Sequence, residues 1–99
     1  MSKKLYTYNG QKVRIEQNSY ANNGTLAACL VTPDGDLVDV ITVNLNDGMQ
    51  SDSMAYLDTN NHPKIEAFIK RNHLGLPMYY TQRSGFCTYP LYTLFTSQF

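Results

Sequence analysis

The sequence predicts an α+β domain, a small antiparallel sheet of five to seven strands with one helix packed on one face. Three observations carry that reading. Short apolar or alternating runs recur along the 99 residues, separated by turns containing Gly, Asn and Pro. Only one stretch, Asp58 to Gly75, has helical spacing. No linker, repeat or shift of composition divides residues 1–99, so they are read as one domain. A chain of that size buries roughly 60–65% of the surface it exposes when unfolded.

Leu5 to Glu16 reads as a β-hairpin, because Asn9-Gly10 is the preferred dipeptide of a two-residue type I′ turn. That turn pairs Tyr8 with Gln11 and Tyr6 with Val13. Tyr6, Tyr8, Val13 and Ile15 then share one face, and Thr7, Lys12, Arg14 and Glu16 share the other. Asn18 to Gly24 is a loop whose bulky anchor is Tyr20. Thr25 to Thr32 is almost continuously apolar, as a central strand covered on both faces would be. Pro33-Asp34-Gly35 is expected to turn the chain, with Gly35 left-handed.

The next strand is expected from Leu37 to Leu45. Val38 and Val40 are apolar around Asp39, whereas Ile41, Val43 and Leu45 alternate with Thr42 and Asn44. A two-residue period cannot change phase without an extra residue, which predicts a β-bulge near Val40–Ile41. Asn46 to Ser53 is a polar loop, and Met54 to Leu57 is a short strand leading into the helix.

Within the helix, Pro63 is expected at the first position with His62 as cap, because proline fixes φ and disfavours α geometry before it. Asp58, Thr59, Asn60 or Asn61 is expected to fold over the free N–H groups. Ile65, Phe68 and Ile69 form an apolar stripe, while Lys64, Glu66, Lys70 and Arg71 face outward. Gly75 reads as the left-handed residue that ends the helix. Met78 to Gln82 and Phe86 to Phe95 read as strands about a Ser84-Gly85 turn, and Pro90 implies an edge or a bend.

Net charge is zero, with no general attraction to nucleic acid or membrane. The charges are segregated: Lys3, Lys4, Lys12 and Arg14 open the chain, and Lys64, Lys70, Arg71 and Arg83 come late. Asp34, Asp36, Asp39, Asp47, Asp52 and Asp58 lie between them. Cys29 and Cys87 lack metal-ligand spacing and are expected as buried free thiols, with one disulfide between them left open. No signal peptide or membrane-length apolar run is read, so a soluble cytoplasmic protein is expected.

The chemistry-bearing motifs are sparse. His62 and His73 fall at opposite ends of the helix, about 15 Å apart, too far to share one metal. Both are expected to be exposed. No phosphate loop, nucleophile elbow, Cys–His pair or paired-Glu arrangement occurs. The expectation is a non-enzyme with no catalytic residues, cofactor or metal. Aromatics crowd the tail, from Tyr79 and Tyr80 to Phe95 and Phe99. A binding surface is therefore expected from Arg83, Phe86, Tyr89 and Tyr92, with Asp34 and Asp36 on the exposed turn. A protein partner fits such a surface. Stacking of single-stranded nucleic acid on the aromatics is the alternative. A homodimer through the sheet edge near Pro90 is a third expectation.

The runs SYANNGTLA, VTPDGD, TVNL, DTNN, FIKRNHLGLP and SGFCTYPLY resemble an uncharacterised family of short proteins, a domain of unknown function, from about Gln11 to Phe95. The resemblance implies a source in Gram-positive bacteria and their conjugative or phage-derived elements. It further implies an accessory protein that binds a host protein, including one that inhibits a host defence system. It brings no functional residues with it.

Overall fold

The computed structural model describes residues 4–45 and 48–99, so that Lys3, Asn46 and Asp47 lie outside the described residues. Asn9 and Gly10 both have positive φ, 51° and 78°. They close the type I′ hairpin between β1 (Tyr6–Tyr8) and β2 (Gln11–Ser19) in the expected register, Tyr8 opposite Gln11 and Tyr6 opposite Val13. Tyr8, Val13 and Ile15 are buried and Tyr6 is half-buried on the shared face. Every residue of β3 (Leu26–Val31) is buried, and this strand lies between β2 and β4 (Leu37–Val40). Gly35, with φ 98°, turns the chain between them and donates its N–H to the Thr32 carbonyl at 2.9 Å.

The phase change in Leu37–Leu45 marks a departure from the sheet. In β4, Leu37 faces Val31 and Asp39 faces Leu30, so Val38 is the extra, bulged residue. After Val40 the strand breaks. The Ile41 amide donates to Ala28 of β3 at 3.0 Å, while its carbonyl accepts the Asp58 amide at 2.9 Å. From there β5 (Thr42–Val43) pairs with β6 (Met54–Leu57) in a second sheet. The expected single sheet of five to seven strands is therefore corrected to two antiparallel sheets of four, ordered β1-β2-β3-β4 and β5-β6-β8-β7. Here β7 is Gly75–Ser84 and β8 is Cys87–Leu94. The expected bulge at Val40–Ile41 is instead a change of sheet, made because the two hydrogen-bonding sides of Ile41 face different neighbours.

The helix α1 is shorter than expected, Ile65–Arg71, with Lys64 as its N-cap. Pro63 and His62 belong to the turn before it. Asp58 shapes that turn: Oδ1 accepts the Asn61 amide (3.2 Å), Oδ2 accepts Asn61 Nδ2 (2.9 Å), and its carbonyl accepts the His62 amide (2.9 Å). The stripe Ile65, Phe68 and Ile69 is buried as expected. Glu66 does not simply face solvent, because its carboxylate accepts a hydrogen bond from Tyr92 of β8.

The helix ends in a Schellman motif centred on His73, not Gly75. The Leu74 amide donates to Ile69 (2.9 Å) and the His73 amide to Lys70 (3.2 Å), with His73 left-handed at φ 55°. Gly75 is already the first residue of β7. A Cβ there would lie 2.5 Å from the Thr93 carbonyl oxygen and 2.8 Å from Leu94 Cδ2. The glycine is required by the close approach of β8, with Ile69 of the helix next at 3.3 Å.

One buried cluster joins the elements, including Tyr8, Val13, Leu26 and Leu30 from the first sheet, Ala55, Leu57, Tyr92 and Leu94 from the second, and the helix stripe. Phe68 receives Tyr8 and Tyr6 edge-on, at centroid distances of 5.1 and 6.1 Å. The asparagine-rich loop is also accounted for by packing. Buried Gln50 accepts the Leu45 amide (2.8 Å) and donates to Asn44 (3.1 Å) and Thr25 (3.2 Å). Asn44 in turn donates to Asn22 and accepts from Asn23, stitching two loops together. Tyr20 anchors its loop through a 2.9 Å hydroxyl contact with Thr42.

Candidate functional site

The feature that the fold does not consume is the hairpin of β7 and β8. Ser84 pairs with Cys87, leaving Gly85 and Phe86 as its two-residue loop. Gly85 has φ 62° and Phe86 is not left-handed, the arrangement of a type II′ turn. The expected Ser84-Gly85 turn is thus displaced by one residue, which places Phe86 at the tip. Support for this hairpin is one-sided: β6 pairs with β8 only at Leu91, Tyr92 and Thr93. Among the described residues, the hairpin from Thr81 to Pro90 has only its own two strands in the sheet. Pro90 stands where β8 loses its second neighbour, so a missing N–H is tolerated there.

Halfway along, β7 bulges. Pro77 faces Tyr92 and Thr81 faces Pro90, so Met78, Tyr79 and Tyr80 stand opposite Leu91 alone. The bulge drives Tyr79 to φ 57°, an uncommon conformation for an aromatic residue. It also turns the ring outward, leaving Tyr79 94% exposed. Phe86 is fully exposed at the tip, and Leu76, Met78 and Tyr80 are exposed along β7. Arg83 is exposed between them, with Nε donating to the Gly85 carbonyl at 3.3 Å. No Asp or Glu occurs from Ala67 to Phe99, so no carboxylate from that stretch opposes this arginine.

The residues expected at a binding surface separate into three groups. Arg83 and Phe86 are exposed on the hairpin, and Tyr89 is half-buried beside them. Its hydroxyl is pushed up from the ordinary tyrosine value, chiefly by the Cys87 side chain. Tyr92 must be corrected: it is completely buried, and its hydroxyl donates to Glu66 Oε1 at 2.7 Å. The alternation of a strand turns Tyr92 inward next to the bulge, so it braces the helix. Asp34 and Asp36 are exposed, but on the β3–β4 turn of the first sheet. Among the described residues no hydrogen bond or ion pair joins that turn to the hairpin. The reading of the sequence missed Tyr79 and Met78 as surface residues, since no spacing signals a bulge of two extra residues.

His62 is buried rather than exposed, with Nε2 3.4 Å from Asp39 Oδ1 and Tyr8 edge-on to its ring. His73 is exposed at the end of the helix. Cys29 and Cys87 are free thiols, the first buried and the second half-buried. Among the described residues no three His, Cys, Asp or Glu side chains gather as a metal site, and no helix is long and apolar enough to cross a membrane.

Neither a curated protein nor a solved structure matches the chain. A family described as a domain of unknown function (DUF4313) matches residues 14–99, which begins within β2 and includes the whole β7–β8 hairpin. The chain belongs to the DUF4313 family.

Proposed function

We propose that this is a non-enzymatic binding protein that grips a partner protein with the β7–β8 hairpin. The observation that carries the reading is the pair Tyr79 and Phe86, two large aromatics held 94% and 101% exposed, the first in a strained backbone conformation. Strain at a bulky residue persists when something other than stability retains it. Several large apolar side chains exposed on one hairpin support an interaction site there. Aromatic, Met and Arg side chains, all present on this hairpin, are the types enriched in protein interfaces. The role of an accessory protein of a bacterial mobile element, including inhibition of a host defence system in the cytoplasm, rests on the family resemblance and is part of the same proposal.

Binding of single-stranded nucleic acid is the second reading, favoured by Arg83 among exposed aromatics on a surface to which residues 67–99 contribute no carboxylate. The aliphatic share of the patch, Leu76 and Met78, weighs toward protein. Comparative affinity capture tests the proposal, using the wild-type chain and a Tyr79→Ser/Phe86→Ser double variant as baits. A stoichiometric protein retained by the first and lost by the second is expected. Equal retention by both removes the hairpin as the contact. Salt-sensitive retention of an oligonucleotide by the wild type alone would transfer the site to nucleic acid. Dimerisation in sedimentation that the double variant abolishes would assign the hairpin to self-association.

A further inference from the structure

A second surface, at the β1 edge of the first sheet, has a different chemistry. Between the outer side of β1 and α1 runs a groove of about 640 Å³, floored by Tyr6, Tyr8, Ala67 and Phe68. It continues past the Asn9–Gly10 turn to Pro63. Among the described residues its charged lining consists of Lys64 and Arg71, both exposed, and neither makes an ion pair there. We propose that this groove receives a short extended segment of a partner protein that carries two carboxylates on one face.

The geometry specifies the segment. In a two-residue hairpin the pair closing the turn, here Tyr8 and Gln11, is hydrogen-bonded, so the amide and carbonyl of Thr7 point away from β2. The Thr7 carbonyl indeed meets Arg71 Nη2, at a long 3.4 Å. An added strand supplies a better donor to that carbonyl and releases Arg71 to meet a carboxylate. Lys64 and Arg71 are seven residues apart, about 10 Å along the helix direction. Side chains on one face of a strand recur about every 6.8 Å, so acidic residues four positions apart span about 13.6 Å. The flexible lysine and arginine side chains close the difference. With one outward-facing residue in β1, the ion pairs carry most of the affinity. The groove lies on the first sheet and the hairpin on the second, so this proposal and the preceding one stand or fall separately.

The test is an NMR titration of the full chain, labelled with 15N, with a blocked seven-residue peptide of Val and Thr bearing Glu at its second and sixth positions. Saturable shifts centred on the Thr7 amide are expected, weakened about fivefold or more in Arg71→Gln and in Lys64→Gln, and for the peptide with Gln in place of Glu. A Thr7→Pro variant removes the outward amide while leaving the β1–β2 bonds intact, and loss of binding is expected there as well. Should it misfold, the two Gln variants decide. Absence of saturable shifts at Thr7, or equal binding of the Gln peptide, overturns the proposal. So does displacement by an oligothymidylate, or concentration-dependent shifts at Thr7 without peptide, which would give the groove to nucleic acid or to a second copy.

Discussion

The hydroxyl of Tyr92 donates to Glu66 Oε1 at 2.7 Å, tying the buried centre of the second sheet to the first turn of the helix. Removing it in Tyr92→Phe keeps the ring in the core and strips one charge-assisted bond. A loss of about 1–2 kcal/mol is expected by urea denaturation. An unchanged midpoint would mean that solvent replaces the bond without loss.

The same pair sets a pH dependence. Burial first, and then the Glu66 carboxylate, push the Tyr92 hydroxyl well above the ordinary tyrosine value. A group whose pKa is raised on folding contributes fully below its unfolded value, about pH 10, and loses that contribution as pH climbs toward the folded value. Burial raises Tyr6, Tyr8 and Tyr20 in the same sense. Stability should fall above pH 10, and less steeply in Tyr92→Phe. An identical slope in the two proteins would remove Tyr92 from the explanation.

His73 and Gly75 give a contrast of sign. His73 is left-handed where glycine is preferred, so His73→Gly should gain about 0.5–1 kcal/mol. Gly75→Ala drives a methyl group into the Thr93 carbonyl and the Leu94 side chain, and should lose about 1–3 kcal/mol. Thermal melts of the two variants should shift in opposite directions. If both shift downward, His73 is held by more than its backbone.

Phe68 lies under Tyr6 and Tyr8 at the meeting of helix and first sheet. Phe68→Ala should cost about 3 kcal/mol, from lost transfer energy and the cavity left behind. A loss below about 1 kcal/mol would show that the helix does not brace the core.

Local chemistry was legible where it decides structure by itself. Asn9-Gly10 dictated a turn and therefore a register, and Ile65, Phe68 and Ile69 dictated which side of the helix is buried. What escaped was decided by distant partners. The phase change at Val40–Ile41 reads equally as a bulge or as a change of sheet, and only the separate partners of the Ile41 amide and carbonyl distinguish them. Phe86 and Tyr92 are both aromatic residues of one tail, yet one is at the tip and the other at zero exposure. Phe86 is at the tip because the two-residue loop is Gly85-Phe86, and Tyr92 faces inward beside a bulge at Met78–Tyr80 that has no compositional signal. His62 was expected in solvent and is buried, because Asp58 folds the preceding turn so that its ring meets Tyr8 and Asp39.

The bulge also separates function from stability. Tyr79→Gly removes an exposed ring and relieves a positive φ, so a gain of about 0.5–1 kcal/mol is expected together with weaker partner capture. Phe86→Ser should stay within about 0.5 kcal/mol of wild type, since its ring touches solvent. A marked destabilisation in either variant would show that the hairpin aromatics belong to the fold.

Site-specific photo-crosslinking reads the hairpin directly. A photoreactive phenylalanine at position 86 is compared in cells with the same group at position 17, an exposed site on β2 away from the β1 groove. A discrete adduct with one partner protein from position 86 and none from position 17 is expected. No adduct from position 86, or the same adducts from both positions, would contradict the assignment of this hairpin as the binding surface.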